Sequence, residues 1–268
     1  MITSYNNKSV REVIQLNQRA KARNKQDLFV VEGIKMFIEA PKDRIQRVYI
    51  AQRAEDELRG EYGDKLSGLS VEIVADDVFD KMSDTKTPQG ILCLVRQFHY
   101  ELEELLAAVN DKKHLLFILL EDLQDPGNLG TVFRTGEGAG ADGIIMSSQT
   151  VDIYNPKTIR STMGSVYRVP FLYTDDLCGM IRMLQQHNII VYAAHLGGTK
   201  HYDEYDYCHG TAFLVGNEGN GLKKETADCA DEQLRIPMEG QVESLNAAVA
   251  SSILLYEAYR QRRCIGET

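Results

Sequence analysis

The stretch "HLLFILLEDLQDPGNLGTVFRTGEGAGADGIIMSS", His114–Ser148, contains a complete strand–helix–strand unit. Its first part, "HLLFILLEDL", is almost continuously apolar, which is typical of a strand in a parallel sheet covered on both faces. The following "LGTVFRTGEGA" predicts a helix, and "GIIMSS" predicts the next strand. The unit therefore predicts an α/β fold built on a parallel sheet.

The same stretch contains "GAGADG", Gly138–Gly143, which matches the G-x-G-x-x-G fingerprint of dinucleotide-binding proteins. That fingerprint must leave a strand and open a helix, so that the pyrophosphate meets free N–H groups at the helix N-terminus. Here the glycines follow the predicted helix and precede a strand. They are expected to end the helix in a left-handed conformation, and a nicotinamide- or flavin-dependent oxidoreductase is the least favoured class.

Strand–helix alternation extends on both sides of this unit. Residues 1–97 predict a smaller α/β domain with strands at "LFVVEG", "IQRVYIA", "VEIVA" and "GILCLVRQF", after one polar helix over residues 4–27. Residues 98–114 predict a mostly helical linker, and residues 115–268 predict the parallel-sheet domain. Its C-terminal helix, "ESLNAAVASSILLYEAYRQRR", is expected to begin after Ser244 as N-cap and to bury Leu245, Val249, Ile253 and Tyr256.

Charge is distributed unevenly along the chain. Residues 1–50 contain ten Lys and Arg against five Asp and Glu, a net charge of +5. Because the whole chain carries −9, the remaining 218 residues carry −14. A basic N-terminal region on an acidic body fits local phosphate binding, although a solvated helix face explains the same residues equally well.

Composition excludes several other classes. No apolar run approaches the roughly 20 residues that cross a bilayer, and "MITSYNNKSVREVIQ" lacks the apolar core of a secretory signal, so a cytoplasmic protein without membrane contact is expected. The five cysteines form no C-x-x-C pair, which argues against a zinc ribbon or a disulfide framework. His201, Cys208 and His209 fit no zinc spacing, and no metal is expected.

A second glycine-rich loop, "LVGNEGNGLK", resembles a phosphate-binding loop because Gly216 and Gly221 have the right separation. Leu222-Lys223 stands where such a loop requires Lys-Ser or Lys-Thr, which argues against ATP binding. The glycines still indicate that the backbone passes close to a ligand or to another segment.

Three segments, "DPGNLGTVFRTGEGAG", "LVGNEGNGL" and "IPMEGQVESLNAAVASSILLYE", together resemble the three motifs of the SpoU (TrmH-type) family of RNA 2′-O-methyltransferases. The resemblance covers residues 115–262, and "RNKQDLFVVEGIKMFIEA" is similar to the family's L30e-like substrate-binding domain. It implies a deep trefoil knot in the C-terminal domain, S-adenosylmethionine as cofactor and a homodimer. None of these three features follows from composition or periodicity.

The resemblance also assigns site residues. It places Asn128, Arg134, Glu218, Ser244 and Asn246 at the catalytic centre. For the methyl donor it implies Leu196, Gly197, Leu214, Gly216, Ile236, Met238 and Leu245. A guanidinium stays charged in proteins, so Arg134 is expected to grip a phosphate and to stabilise charge on the 2′-oxygen. Whether Arg134 also takes the proton is left open.

RNA contact is expected from Arg19, Lys21, Arg23 and Lys25 of the basic region and from Arg160 in "RSTMGSVYRVP". The leading hypothesis is methyl transfer to a ribose 2′-hydroxyl of ribosomal RNA, with transfer RNA as the other substrate. The alternative from another class is a non-catalytic RNA-binding protein that retains the fold.

Overall fold

A computed structural model describes residues 1–107, 114–242 and 244–263. The α-helices are α1 (Lys8–Gln18), α2 (Ala20–Gln26), α3 (Ile34–Glu39), α4 (Glu55–Leu66), α5 (Asp76–Met82), α6 (Leu102–Ala107), α7 (Pro126–Ala139), α8 (Pro156–Thr162), α9 (Leu177–Gln186), α10 (Lys224–Ala227) and α11 (Ala247–Arg263). The strands are β1 (Leu28–Glu32), β2 (Ile45–Ala51), β3 (Val71–Val74), β4 (Ile91–Arg96), β5 (Leu116–Leu120), β6 (Gly143–Ser147), β7 (Phe171–Thr174), β8 (Ile190–Ala194), β9 (Lys200–His201), β10 (Thr211–Val215) and β11 (Glu232–Arg235).

Contacts divide the chain into two units. The first comprises Met1–Phe98 and Asp152–Tyr167, and the second comprises His99–Val151 and the chain from Arg168 onward. The predicted linker contributes α6 to the second unit, while residues 108–113 of that linker lie outside the described residues.

The first unit contains a four-stranded mixed sheet in the order β1-β4-β2-β3. Strand β4 runs antiparallel to β1 and β2, and β3 runs parallel to β2. Helix α1 buries Val10, Val13 and Leu16, which join an apolar core with residues of the sheet and of α5. The small α/β domain predicted for this region is therefore present.

The polar helix predicted over residues 4–27 is two helices. Arg19 adopts an extended conformation (φ −133°, ψ 114°) between α1 and α2. The Arg23 side chain turns back, and its Nη1 donates to the backbone oxygens of Leu16 (2.6 Å) and Asn17 (3.3 Å). These two carbonyl groups lie in the last turn of α1 and have no N–H partner within the helix. The hydrogen bonds from Arg23 satisfy them and so stabilise the interruption between α1 and α2.

Residues 152–167, which we call the inserted segment, follow β6 and pack within the first unit. The Tyr154 ring lies 4.6 Å from that of Phe29, and its hydroxyl bonds both the N–H (2.6 Å) and the carbonyl (3.1 Å) of Phe98. Tyr167 donates to the Met36 oxygen at 3.1 Å. The division predicted at residue 115 did not anticipate this return of the chain.

The second unit contains a seven-stranded sheet in the order β7-β6-β5-β10-β8-β11-β9. All of its strand pairs are parallel, as predicted. From β5 the chain builds β6 and β7 on one side, and β8 and β10 lie on the other. The carboxyl ends of β5 and β10 therefore meet where the strand order reverses, and such positions bind ligands in open α/β sheets.

Helix α7 starts at Pro126, with Asp125 as its N-cap, and ends at Ala139, where Gly140 caps it in the left-handed conformation (φ 75°). The GAGADG glycines thus lie at the end of a helix, as predicted. Gly143 begins β6, where an added Cβ would lie 2.9 Å from the Phe117 ring.

Two predictions about α11 are wrong. Its N-cap is Asn246 rather than Ser244, because Asn246 Oδ1 accepts from the N–H groups of Ala248 (2.9 Å) and Val249 (3.3 Å). Its buried residues are Ala247, Ala248, Ser251, Leu254, Leu255 and Ala258. Val249 and Tyr256, predicted to be buried, are 48% and 49% exposed. The small side chains let α11 pack closely on α7 and β10, which turns the larger ones away.

Candidate active site

Two loops at the carboxyl ends of neighbouring strands form the candidate site. We call residues 121–125 the β5 loop and residues 216–223 the β10 loop. The β10 loop turns back on itself, because Asn217 and Gly221 exchange backbone hydrogen bonds of 3.1 and 3.0 Å. A Cβ on Gly216 would lie 2.3 Å from the Gly221 carbonyl carbon. Glycine is therefore required at residue 216 by backbone approach, as the sequence indicated.

Glu218 joins the β10 loop to the β5 loop. Its Oε2 accepts from the Gln124 N–H at 3.0 Å, and its Oε1 accepts from the Asp125 N–H at 3.0 Å and from Asn128 Nδ2 at 2.9 Å. Burial raises the pKa of Glu218, but these hydrogen bonds outweigh burial and leave the pKa below its ordinary value. The side chain is therefore a fixed carboxylate at neutral pH.

Asn128 continues the arrangement to the C-terminal helix. Because Asp125 is the N-cap of α7, the Asn128 side chain is not used for capping and instead bonds outward. Its Oδ1 accepts from Asn246 Nδ2 at 3.0 Å. Glu218, Asn128 and Asn246, three of the five residues predicted as catalytic, thus form one hydrogen-bonded array drawn from three segments.

Arg134 and Ser244 lie outside this array. Arg134 is an exposed residue of α7 and has no hydrogen-bond or ion-pair partner among residues 1–107, 114–242 and 244–263. Its guanidinium therefore has all its donors available for an external anion. Ser244 is exposed and borders the cavity described next.

A cavity of about 300 Å³ opens beside the array, at the lower end of the range for small-molecule sites. Five of the seven residues predicted to hold the methyl donor line it: Leu196, Gly216, Ile236, Met238 and Leu245. The other two do not. Leu214 is buried in the apolar core, and the Gly197 N–H is bonded to His195 Nδ1 at 3.1 Å.

The cavity fits a nucleoside-containing methyl donor in its chemistry. Leu196, Ile236 and Leu245 supply apolar surface for a purine. The backbone N–H and C=O groups of Met238 and Leu245 have no hydrogen-bond partner in the described part of the chain, which leaves them for the edge of a base. Prediction from the sequence missed other lining residues, among them Asn217, Leu222 and Arg235. The available signal was that Asn217 and Leu222 belong to the glycine-rich loop after β10 and that Arg235 ends β11.

The residues predicted to contact RNA differ in exposure within the first unit. Arg19, Lys21 and Lys25 are exposed. Arg23 is only 3% exposed, and its Nη2 lies 2.6 Å from Asp152 Oδ2 in a salt bridge. Arg160 pairs with Asp84 at 2.7 Å. Because Arg23 is buried and fully engaged, we leave it out of the candidate RNA surface.

No helix among the described residues is both long enough and apolar enough to span a membrane. No group of three or more His, Cys, Asp or Glu among them is arranged to hold a metal ion.

Comparisons with known proteins match the chain over nearly its whole length. Residues 115–256 match the SpoU rRNA Methylase family, and residues 7–93 match the MRM3-like substrate binding domain. A Bacillus subtilis relative, 23S rRNA (guanosine(2553)-2′-O)-methyltransferase RlmP, is 32% identical over 95% of this chain and 97% of its own length. An uncharacterized tRNA/rRNA methyltransferase of Synechocystis is 31% identical over 97% of this chain and 94% of its own.

Solved structures agree. The AdoMet-bound rRNA methyltransferase from Sinorhizobium meliloti is 32% identical and superposes with a TM-score of 0.82, covering 97% of each chain. AviRb from Streptomyces viridochromogenes, in complex with AdoMet, shares the fold with a TM-score of 0.84 at 23% identity, covering 96% of this chain and 98% of its own. The resemblance inferred from three motifs is confirmed, and the chain belongs to the SpoU rRNA Methylase family.

Proposed function

We propose that this protein transfers a methyl group from S-adenosylmethionine to a ribose 2′-hydroxyl of structured RNA, with ribosomal RNA as substrate and transfer RNA as the alternative. The observation that carries the proposal is the Glu218–Asn128–Asn246 array beside a cavity suited to the donor. Membership of the SpoU family and the RNA 2′-O-methyltransferase name of the RlmP relative support it.

The residues that would hold the donor are Leu196, Gly216, Ile236, Met238 and Leu245, which line the cavity. When bound, S-adenosylmethionine supplies a sulfonium-activated methyl group. Glu218 and Asn246 restrain the Asn128 side chain from two directions, one accepting and one donating a hydrogen bond. Asn128 is thereby held in one rotamer, which favours a fixed orientation for a ribose bound against it.

Arg134 is assigned to the RNA side of the reaction. Its guanidinium would bind the phosphate next to the target ribose and stabilise negative charge as it develops on the 2′-oxygen. Held by the residues that line the cavity, the donor would supply its methyl carbon from sulfur to the 2′-oxygen, and the hydroxyl would give up its proton. Glu218 is a poor acceptor for that proton, because its hydrogen bonds lower its pKa.

The first unit would hold the RNA. Arg19, Lys21 and Lys25 are exposed on and beside α2, and their charge suits a phosphate backbone. The match of residues 7–93 to a substrate binding domain supports this assignment. A cytoplasmic location belongs to the same proposal, because ribosomal and transfer RNA are substrates of that compartment. The trefoil knot implied by the resemblance stays a prediction that rests on family membership.

A homodimer is the proposed assembly. Val249, Tyr256 and Tyr259 form an exposed apolar stripe on α11, at 48%, 49% and 40% exposure. Exposed apolar patches of this kind mark protein interfaces. A Val249→Glu, Tyr259→Glu double substitution should yield monomers in analytical ultracentrifugation at concentrations where the wild type is dimeric. Arg182→Ala, at an exposed residue of α9, is the control, and a wild type that is monomeric itself would contradict the dimer.

Methyl transfer is tested with purified protein, S-adenosylmethionine tritiated on the methyl group, and unmodified transcripts of ribosomal and transfer RNA. Label should enter RNA as an alkali-resistant 2′-O-methyl dinucleotide. Arg134→Ala should lower the rate by about 100-fold or more, because a charge-stabilising donor is lost. Arg182→Ala, another exposed arginine of the second unit, should leave the rate unchanged.

The same assay, combined with a measurement of donor binding, distinguishes the methyltransferase from the non-catalytic RNA-binding protein. Donor binding measured by calorimetry without label in any RNA would favour the non-catalytic RNA-binding protein. Absence of donor binding would contradict the assignment of the cavity.

A further inference from the structure

Lys223 ends the β10 loop, where the sequence lacks the features of an ATP-binding loop. Its Nζ lies 2.6 Å from Asp122 Oδ2 and 3.8 Å from Glu121 Oε1. Its backbone N–H donates to Glu121 Oε2 at 2.8 Å. The ammonium group and the backbone N–H of Lys223 therefore both contact the start of the β5 loop, Glu121 and Asp122.

Asp122 determines the course of the β5 loop. It is a non-glycine residue in the left-handed conformation (φ 54°), which is uncommon for residues with a side chain although Asp is among those that adopt it most readily. Its carboxylate accepts from Ser147 Oγ at 2.8 Å as well as from Lys223. Its carbonyl oxygen accepts from Gln124 Nε2 (2.8 Å) and from Asn217 Nδ2 (2.7 Å).

Glu121, the other residue of the β5 loop that Lys223 contacts, is buried and held by hydrogen bonds. It is 3% exposed, and its Oε1 accepts from Thr226 Oγ1 of α10 at 2.5 Å. A buried carboxylate must be satisfied by donors, and here both donors, the Lys223 N–H and Thr226 Oγ1, come from the chain around the end of the β10 loop. Glu121 thus ties that chain to the end of β5.

We infer that Lys223 is a positioning residue: by bridging to Asp122 it holds the β5 loop so that the N–H groups of Gln124 and Asp125 point at Glu218. This inference rests on the proposed function, because its effect on methyl transfer passes through Glu218. Only Leu123 separates Asp122 from Gln124, so a change in the Asp122 backbone redirects both donors. Without them Glu218 would no longer hold Asn128 in place.

The charges support the bridge. The hydrogen bond with Asp122 raises the pKa of Lys223. Burial raises the pKa of Asp122, but hydrogen bonds from Lys223 and Ser147 outweigh burial and leave that pKa below its ordinary value. The Lys223 side chain is 52% exposed, and exposed ion pairs add little to global stability. The role of the bridge is therefore local, and its loss should not unfold the protein.

The test compares Lys223→Met with Lys223→Arg, which keeps the charge, and with Lys224→Met. Lys224 is the adjacent lysine, is 88% exposed and pairs with Asp228. Hydrogen–deuterium exchange of peptides covering residues 121–128 should become about tenfold faster in Lys223→Met. It should stay at the wild-type rate in Lys224→Met and return close to that rate in Lys223→Arg. The thermal midpoints should agree among all these proteins.

Methylation kinetics provide the second readout. In Lys223→Met, kcat should fall by about 10- to 100-fold, with KM for RNA changed by less than about threefold and with recovery in Lys223→Arg. Glu218→Gln alone should lower kcat, and Lys223→Met added to it should cause no further loss, because the two act in one path.

Three results would overturn the inference: unchanged exchange in Lys223→Met, an unchanged kcat, or losses that multiply in the double variant. Multiplying losses would place Lys223 on the RNA instead. If the wild-type protein does not methylate RNA, the proposed function fails by itself. The exchange measurement then still decides whether Lys223 holds the β5 loop.

Discussion

Glu218 has an environment that suits orientation rather than proton transfer. It accepts three hydrogen bonds, two of them from backbone N–H groups. Since these bonds lower its pKa, Glu218 stays ionised throughout the neutral range. Any titration of the methylation rate between about pH 6 and 9 must therefore come from another group.

Glu218→Gln should change how stability depends on pH. A carboxyl group whose pKa is lower in the folded state stabilises the protein fully above its unfolded pKa, and that contribution is lost as pH falls through the folded pKa. The ordinary value for Glu218 is 4.5, so the wild type should exceed Glu218→Gln in urea midpoint at pH 7. The difference should shrink as the pH is lowered from about 4.5.

Urea unfolding of both proteins at several pH values between about 7 and 3.5 checks this expectation. Glu239→Gln, a change at an exposed glutamate of the same unit, is the control and should parallel the wild type. A wild-type advantage that stays constant down to the lowest pH would show that Glu218 has no lowered pKa.

At this scale the resemblance assigned Asn128, Glu218 and Asn246 to one catalytic centre; the structure joins them by hydrogen bonds, and their catalytic role stays a prediction. The sequence could not predict that Arg23 is buried. A basic residue between Lys21 and Lys25 has the same local pattern whether it faces solvent or Asp152, which lies 129 positions later. The partner that decides its role is contributed by tertiary structure.

Among the elements, α11 has an N-cap residue with two roles, one in capping the helix and one in joining it to Asn128. Asn246 caps the helix through Oδ1 and reaches Asn128 through Nδ2. The two roles use different atoms, so substitutions can separate them.

Asn246→Ala should lose both roles, whereas Asn246→Asp should lose only one. The alanine variant loses the cap, which costs about 1 kcal/mol of stability, together with the bond to Asn128. Aspartate is an equally good N-cap, but its carboxylate cannot donate to Asn128 Oδ1. We expect Asn246→Asp to unfold near the wild-type urea midpoint and to methylate RNA at least about tenfold more slowly. Full activity in this variant would show that the hydrogen bond between Asn128 and Asn246 is not needed for methyl transfer.

Element type was predictable because the strands β5, β6 and β10 are short apolar runs bounded by polar turns. The buried face of α11 was not predictable in the same way. Periodicity alone favours the side with Val249 and Tyr256, but close packing against α7 selects the alanine-rich side. Which face of α11 is buried, and which apolar side chains stay exposed, therefore depends on the neighbouring elements and not on the helix sequence alone.

For the molecule as a whole, charge should govern RNA affinity. The chain carries −9 overall, so we expect RNA binding to depend on the local basic surface of the first unit and on release of counterions. We expect affinity to fall steeply as salt concentration rises, as for other proteins that contact phosphates.

A Lys21→Gln, Lys25→Gln double substitution should weaken RNA binding and reduce the slope of log K against log salt by about two, one for each phosphate contact. Filter binding at several salt concentrations measures this slope. Lys224→Gln, an exposed lysine of the second unit, should keep the wild-type slope. If both variants match the wild type, RNA is held elsewhere.

The inserted segment has a consequence for how this protein can change during evolution. Gene fusion and exchange cut a chain at one place, yet the first unit is assembled from two separate stretches, one of which follows β6. If residues 1–98 were replaced by those of another protein, Tyr154 and Asp152 would remain. They would lose their contacts with Phe29 and Arg23. The two stretches must therefore vary in concert, and recombination at the join before β5 would be selected against.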